Sequence, residues 1–348
     1  SVMQTETRPT SVQPGAVANP LLSVRDLRIE YATEGDPVKA VDGVSFDIAP
    51  GEVFGLAGES GSGKSTVAHG ILRLLQPPAV ITGGSVSFKG NDVFSLNDKQ
   101  LAHFRWSEIS MVMQSAMNAL NPVMRVSSQI TDAIQSHDPH RSRKDCEDRA
   151  RELFKIVGID PDRVTSYPHE LSGGMRQRAM IAMALALDPP MMIMDEPTTA
   201  LDVVVQKEIM QEIEDLKAKL GFSILFITHD LSLLVEFSDR IAIMYAGKIV
   251  ELAPAKTLFE NPLHPYTQGL MTSFPTLTGE KKHLTGIPGS PPDMSCPPSG
   301  CRFHPRCPKF APMHAQVEPE LVEVEPGHWV ACHLHTLTIG KDPTWRNS

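Results

Sequence analysis

Val53-Phe-Gly-Leu-Ala57-Gly58-Glu-Ser-Gly-Ser-Gly63-Lys64-Ser65-Thr66 decides the fold of this chain of 348 residues. A short apolar run runs straight into a glycine-rich loop. Val67, Ala68, Ile71, Leu72 and Leu75 then recur on one side of a helical pattern. Gly58 to Ser65 satisfies G-x-x-x-x-G-K-[ST] in full, in the strand–loop–helix context where that pattern has a mechanism. Glycines let the backbone wrap an anion, and loop N–H groups together with the helix N-terminus bind it. Lys64 is placed to reach the β- and γ-phosphates of a nucleotide, and the Ser65 hydroxyl to ligate Mg²⁺. Gly58, Ser60, Gly61, Gly63, Lys64, Ser65 and Thr66 are the expected contacts. A flexible Gly/Ser loop without function is the alternative, and the flanking strand and helix disfavour it.

Outward from this stretch, Met191–Met194 and Ser223–Ile227 are short continuous apolar runs of the kind buried parallel strands carry. Glu208–Leu220 reads as an amphipathic helix between them. Strand–helix–strand alternation implies an α/β fold with a parallel sheet. Val44-Ser45-Phe46-Asp47-Ile48 alternates, and so do Val86 and Phe88 before a Gly90-Asn91-Asp92 turn. Residues 21–50 and 84–90 are therefore expected to add an antiparallel β portion. The stretch 97–187 reads mostly helical and is expected to form an inserted lobe.

The first of these strands ends in Asp195-Glu196. Asp195 suits the Mg²⁺ shell, and Glu196 is placed to accept a proton from an attacking water. By itself such a pair is more often a solvated loop start or a helix cap; the phosphate loop gives it weight. Leu171-Ser172-Gly173-Gly174-Met175-Arg176-Gln177 opens another helix. Ser172 is a good N-cap there, and Gly173 and Gly174 expose N–H groups at a positive helix end. That is a second anion site on one chain.

Length suggests two domains. The balance of 32 Lys+Arg against 41 Asp+Glu, net −9, makes a poor general binder of nucleic acid. The longest apolar run, Ala179–Leu187, is far short of the roughly 20 residues a membrane span needs. The first twenty residues contain no secretory h-region. After residue 260 the composition shifts: this part holds 14 of the 29 Pro and 4 of the 5 Cys. The expected organisation is a disordered lead at 1–19, a main domain at 20–260 with its helical lobe at about 97–187, and a loop-rich extension at 261–348.

Together these segments resemble the nucleotide-binding subunit of an ABC transporter. The phosphate loop resembles Walker A, Asp195-Glu196 the end of Walker B, and Ser172-Gly173-Gly174 the signature motif. Gln114 in Met-Val-Met-Gln resembles the Q-loop, Thr199-Ala200-Leu201-Asp202 the D-loop and His229 the switch histidine. Tyr31 resembles the aromatic that stacks on adenine. Singly, a Gln or His is more often structural than catalytic; the ordered series is what counts. The resemblance implies a P-loop ATPase using ATP and Mg²⁺. Glu196, His229 and Gln114 would be catalytic, with Ser65, Gln114 and Asp195 around the metal. Ser172, Gly173, Gly174 and Asp202 would serve the nucleotide of a second subunit.

Leu-Ser-Gly-Gly-Met, Asn118-Ala-Leu-Asn-Pro122, Asp195-Glu-Pro-Thr-Thr-Ala-Leu-Asp202 and His264-Pro-Tyr-Thr267 further resemble the oligopeptide/dipeptide importer branch. The branch implies an ATPase at the cytoplasmic face of the cell membrane, peripheral to it. Its partners would be two transmembrane permease subunits, a second and paralogous ABC ATPase in a heterodimer, and indirectly an extracytoplasmic substrate-binding protein, with no nucleic acid. Nickel, haem and oligosaccharide transporters share this kind of ATPase, so the cargo stays open. Two other classes fit these residues less well. A soluble ABC ATPase of DNA repair or translation would carry long coiled coils or two cassettes. An iron–sulfur sensing adaptor with a vestigial ATP site conflicts with intact Lys64, Glu196 and His229.

Cys296, Cys301, Cys307 and Cys332 are grouped in the extension, and grouped thiols suit soft metals. The branch resemblance implies a [4Fe–4S] cluster, with free thiols or Zn²⁺ as the alternatives. Gly300-Cys301, Arg306-Cys307 and Cys332 match the branch pattern. The remaining ligand is open between Cys296 and His314, which stands where the branch has Cys. Cys146, on a charged helix, reads as an ordinary thiol.

Overall fold

The computed structural model describes residues 13–113, 120–198, 201–272 and 286–336. Two sheets organise it. The smaller is antiparallel, with β1 (Leu22–Tyr31) between β2 (Val38–Ile48) and β4 (Ala79–Phe88), and β5 (Asn91–Asp92) at the edge. The alternating segments at 44–48 and 86–88 lie in β2 and β4 as expected.

The larger sheet is built on β3 (Val53–Ala57), whose five residues are all buried. Strand β8 (Ser223–Ile227) lies beside it, then β7 (Met191–Asp195) and β6 (Ile109–Met113), all parallel. On the other side β9 (Arg240–Tyr245) is parallel to β3, and β10 (Lys248–Pro254) returns antiparallel to it. The continuous apolar runs are explained by burial of both faces. Phe54, Leu56, Met191, Ile193, Leu225 and Ile227 face one core. Val53, Ala57, Met192, Met194, Ile224 and Phe226 face the other. The first core packs on the smaller sheet and on α1 (Lys64–Ile71), which buries Val67, Ala68 and Ile71.

The second core holds the helical side. It takes in α3 (Val126–His137), α4 (Arg143–Ile156), α5 (Gly173–Leu185) and α6 (Val203–Leu220). Helix α6 starts at an Asp202 cap and stops at Gly221 (φ +75°). The expected helical stretch 97–187 is interrupted: after α2 (Asp98–Ser107), strand β6 enters the main sheet beside β7. Its Ile-Ser-Met-Val-Met run is too short for periodicity to separate strand from helix, and pairing with β7 decides the matter.

Two other expectations shift. Within the expected lead, Gly15 and Val17 already touch the domain: the Gly15 carbonyl accepts from Arg240 at 3.1 Å, and the Val17 N–H donates to Asp47 at 3.0 Å. The extension contributes structure as well as loops. After α7 (Leu231–Phe237), α8 (Ala255–Glu260) and α9 (Pro265–Thr272), strands β11 (Val322–Glu325) and β12 (His328–Val330) extend the main sheet. Strand β12 pairs with β10 through Glu251 opposite Val330 and Leu252 opposite Trp329.

Glu251 fixes this junction. It is fully buried, and its carboxylate accepts from the backbone N–H groups of Leu263 and His264 at 2.9 Å each and from His328 Nε2 at 2.6 Å. A buried carboxylate needs all such partners, because removing one leaves charge unpaired in a dry site. His328→Ala is therefore expected to cost about 3 kcal/mol of stability. It should also expose residues 286–336 to protease. Urea unfolding and limited proteolysis check this; an unchanged midpoint with an intact extension would contradict it.

Candidate active site

The carboxyl ends of β3, β7 and β8 lie side by side, because Leu56 pairs with Ile227 and Ile227 with Asp195. Ligands of open α/β sheets gather at this edge. The phosphate loop leaves β3 there, Asp195-Glu196 ends β7, and Thr228-His229 follows β8. A cavity of about 680 Å³ sits above them, lined by the loop, Glu196, His229 and Leu270 of α9.

Sterics explain the loop's glycines at two positions. Gly58 has φ +154°, and a Cβ there would lie 2.4 Å from the Met244 carbonyl oxygen. Gly63 has φ +100°, and its Cβ would lie 2.3 Å from the Ala40 carbonyl oxygen. No side chain can be accommodated against backbone at those distances. Lys64 opens α1 and is 6% exposed; its Nζ donates to the Gly58 carbonyl and, at 2.9 Å, to the Glu59 carbonyl. Burial lowers its pKa, while Glu196, Asp195 and Glu59 pull it back up.

Ser65 Oγ donates to Asp195 Oδ1 at 3.1 Å. Burial raises the Asp195 pKa, and the Ser65 hydrogen bond opposes that rise. A buried carboxylate next to a hydroxyl on a phosphate loop is the hard-oxygen donor set that Mg²⁺ takes, so these residues fit the ion. Glu196 sits at φ +49°, a costly conformation for a non-glycine residue and one met at functional sites. It accepts from Thr228 Oγ1 at 3.1 Å and from the His229 backbone N–H at 2.8 Å, and His229 Nδ1 lies 3.0 Å from it. The strained backbone thus delivers the carboxylate to the histidine.

Other expected residues lie elsewhere. The Tyr31 hydroxyl is 3.5 Å from Thr66 Oγ1, at the border of the loop. Ser172 caps α5, its Oγ accepting from the Met175 N–H at 3.2 Å; Asp202 caps α6 by accepting from the Val205 N–H at 2.9 Å. Ser172, Gly173, Gly174 and Asp202 do not line the cavity over the phosphate loop. The chain brings the phosphate-loop motif together with Glu196 and His229, and leaves the Ser172–Gly174 helix start outside that cavity. Gln114, Thr199 and Ala200 lie outside the described residues.

Sequence reasoning missed three contributors from beyond residue 260. The Tyr266 hydroxyl accepts from the Glu59 N–H at 2.9 Å, Arg306 pairs with the Glu59 carboxylate at 2.9 Å, and Leu270 lines the cavity. The first two contacts span 207 and 247 residues, and no local period signals them.

Comparison with known proteins agrees with this geometry. The family described as ABC transporter matches residues 41–199, and that described as oligopeptide/dipeptide transporter, C-terminal region, matches residues 250–313. The dipeptide transport ATP-binding protein DppD of Caldanaerobacter subterraneus subsp. tengcongensis is 40% identical, over 90% of this chain and 97% of its own. The oligopeptide transport ATP-binding protein OppD of Bacillus subtilis is 45% identical, over 90% of this chain and 88% of its own. Among solved structures, the dimeric post-hydrolysis state of the ATP-binding cassette MJ0796 bound to ADP and Pi is 28% identical. It covers 67% of this chain and 98% of its own, with a TM-score of 0.60.

The grouped cysteines are brought together only in part. Cys301, Cys307 and Cys332 do line one cavity with His314 and His333, but it measures only about 10 Å³, room for a single water. Cys296 is exposed and does not line it. Among the described residues, no group of three or more His, Cys, Asp or Glu stands in metal-binding geometry. Of the two candidates for the fourth position, His314 lies with the three cysteines and Cys296 does not. Burial pushes the Cys332 thiol up to about 12 and raises Cys301 as well, so both stay protonated near neutrality. Thiolate is the reacting form. A thiol reagent near pH 8 is thus expected to modify Cys296 first and Cys332 only after unfolding. Mass mapping of the labelled peptides checks this, and early labelling of Cys332 would contradict it.

Proposed function

This chain belongs to the ABC transporter ATPases, in their oligopeptide/dipeptide branch, and from that premise we propose that it is the ATP-hydrolysing subunit that powers peptide import through a membrane permease. The observation that carries the reading is the cluster at one sheet edge: phosphate loop, Ser65–Asp195 and Glu196–His229 around one cavity.

The chemistry follows from the residues. Loop N–H groups and the α1 N-terminus bind the phosphates, and Lys64 turns from the loop carbonyls toward the β/γ bridge. Ser65 and Asp195 would hold Mg²⁺, which when bound neutralises developing charge on the phosphate oxygens. Water attacks the γ-phosphorus as the bond to the β-phosphate oxygen breaks and ADP departs. Glu196 receives the proton of that water. His229, held by Glu196, is placed to contact the γ-phosphate.

Ser172, Gly173, Gly174 and Asp202 serve the nucleotide of a second ATPase subunit, which we take to be a paralogue. Two observations support a second subunit here. These residues do not line the cavity of their own chain, and Val203 and Val204 beside Asp202 are each 67% exposed. Apolar side chains exposed at the mouth of a helix cap gain by meeting another surface. ATP bridging two positive helix ends closes the pair; hydrolysis removes the bridge and opens it. Among the described residues no helix is long and apolar enough to cross a membrane. We take the spanning partners to be two permease subunits. The chain sits peripherally on the cytoplasmic face, and an extracytoplasmic binding protein delivers the peptide.

Glu196→Gln is expected to keep ATP binding while lowering single-turnover hydrolysis by about 10²–10⁴-fold, the scale of a lost general base. A near-normal rate would contradict the assignment. Lys64→Ala deletes a charge aimed at the phosphates and should instead weaken ATP affinity, read by calorimetry. Unchanged affinity would count against the role of Lys64.

A further inference from the structure

Glu59 is an awkward residue for its place. It stands between Gly58 and Ser60, inside a loop whose purpose is to hold anions, and it lines the same cavity. A free carboxylate there faces the charge of a nucleotide's phosphates and repels it. The structure does not leave it free. Arg306, from the extension, grips it with both ends of the guanidinium: NH1 donates to Oε2 and NH2 to Oε1, each at 2.9 Å.

Arg306 is itself fixed on every side. Its side chain is only 5% exposed. Its Nε donates to the Pro288 carbonyl at 2.8 Å, and the guanidinium lies 5.8 Å from the Tyr245 ring centre and 5.9 Å from that of Phe303. Gly289 passes close by, where a Cβ would meet the Arg306 stem at 3.1 Å. Tyr245, Tyr266 and Phe303 pack mutually, with ring centres 4.7–5.5 Å apart. Tyr266 at the same time holds the Glu59 N–H. Both the backbone and the side chain of one loop residue are thus held by the extension. The Glu59 hydrogen bonds raise the Arg306 pKa above its already high usual value.

We propose that Arg306 is a positioning residue for ATP binding, which neutralises Glu59 and turns its carboxylate away from the phosphates, so that nucleotide affinity depends on the C-terminal extension. The proposal rests on the nucleotide site described above. It gives the extension a direct effect on the ATP site: loosening residues 286–310 releases a negative charge into the phosphate loop. A bidentate, nearly buried arginine is suited to this, since a planar fork fixes the direction of the carboxylate as well as cancelling its charge.

The test is a rescue experiment on the full chain, reading Mg²⁺–ATP affinity by calorimetry. Arg306→Ala should weaken binding about tenfold, and the loss should shrink as salt is raised, because the freed charge is then screened. Adding Glu59→Gln to Arg306→Ala should restore affinity to within about threefold of the unmodified chain, since no charge is left to repel. Arg306→Gln, closer in shape, gives the same comparison should the alanine variant fold poorly, with thermal melting to confirm the folded state. If Arg306 only props the loop mechanically, the double variants bind no better than the single ones, and that result overturns the proposal. Undiminished affinity in Arg306→Ala and Arg306→Gln overturns it too, while leaving the nucleotide site standing. An unmodified chain that fails to bind Mg²⁺–ATP would sink the nucleotide reading and this proposal together.

Discussion

A lysine ammonium buried beneath a loop of glycines is the constraint on which the rest of this structure depends. Lys64 keeps little contact with water, and its hydrogen bonds to the Gly58 and Glu59 carbonyls replace what it gives up. An ammonium is held in such a place only where the surroundings compensate its desolvation. Much of the architecture supplies that compensation. Strand β3 is central and buried on both faces, which makes the loop's point of departure rigid. Parallel pairing carries Asp195 and Glu196 to the same edge, and both raise the Lys64 pKa toward its usual value. The glycines are required because the loop runs against the Met244 and Ala40 carbonyls. An anionic ligand completes what these groups begin.

The extension belongs to the same arrangement. Its Pro and Cys content suggests a tail, yet it is pinned at several places along the body. Glu251 and His328 join β10 to β12 through a buried ion-pair geometry. Arg302 meets Asp42 on β2, and Asp42 also receives Arg28 and Lys248; these cations lower its pKa against the opposing effect of burial. Arg306 meets Glu59 on the phosphate loop itself. Of these contacts, the one between Arg306 and Glu59 reaches the cavity over the phosphate loop. A segment of this kind can influence ATP chemistry without donating a catalytic group.

Legibility from sequence followed the range of the physics. The phosphate loop, the Asp195-Glu196 strand end and the Ser172 cap are local patterns, and each lies where its spacing implied. The strands at 191–194 and 223–227 were readable because burial on both faces leaves an unbroken apolar run. Strand β6 was not, since five apolar residues inside a helical region fit either structure until β7 is placed beside them. Strands β11 and β12 were hidden by Pro-rich flanks. The four cysteines were grouped by position in the chain, and position could not reveal that Cys296 stays in solvent while the other three turn inward. Arg306 and Tyr266 reach Glu59 only through tertiary folding, beyond the reach of any periodicity. Similarity to named relatives located the family; it was the geometry that showed how the extension touches the loop.

The most direct measurement is a crystal structure of this chain with Mg²⁺ and a non-hydrolysable ATP analogue. The γ-phosphate is expected between Lys64 and His229, the metal on Ser65 and Asp195, and Lys64 Nζ turned from the Gly58 and Glu59 carbonyls toward the phosphates. Glu59 should remain on Arg306. A nucleotide seated away from residues 58–66, or phosphates bound with Lys64 still on the loop carbonyls, would contradict it.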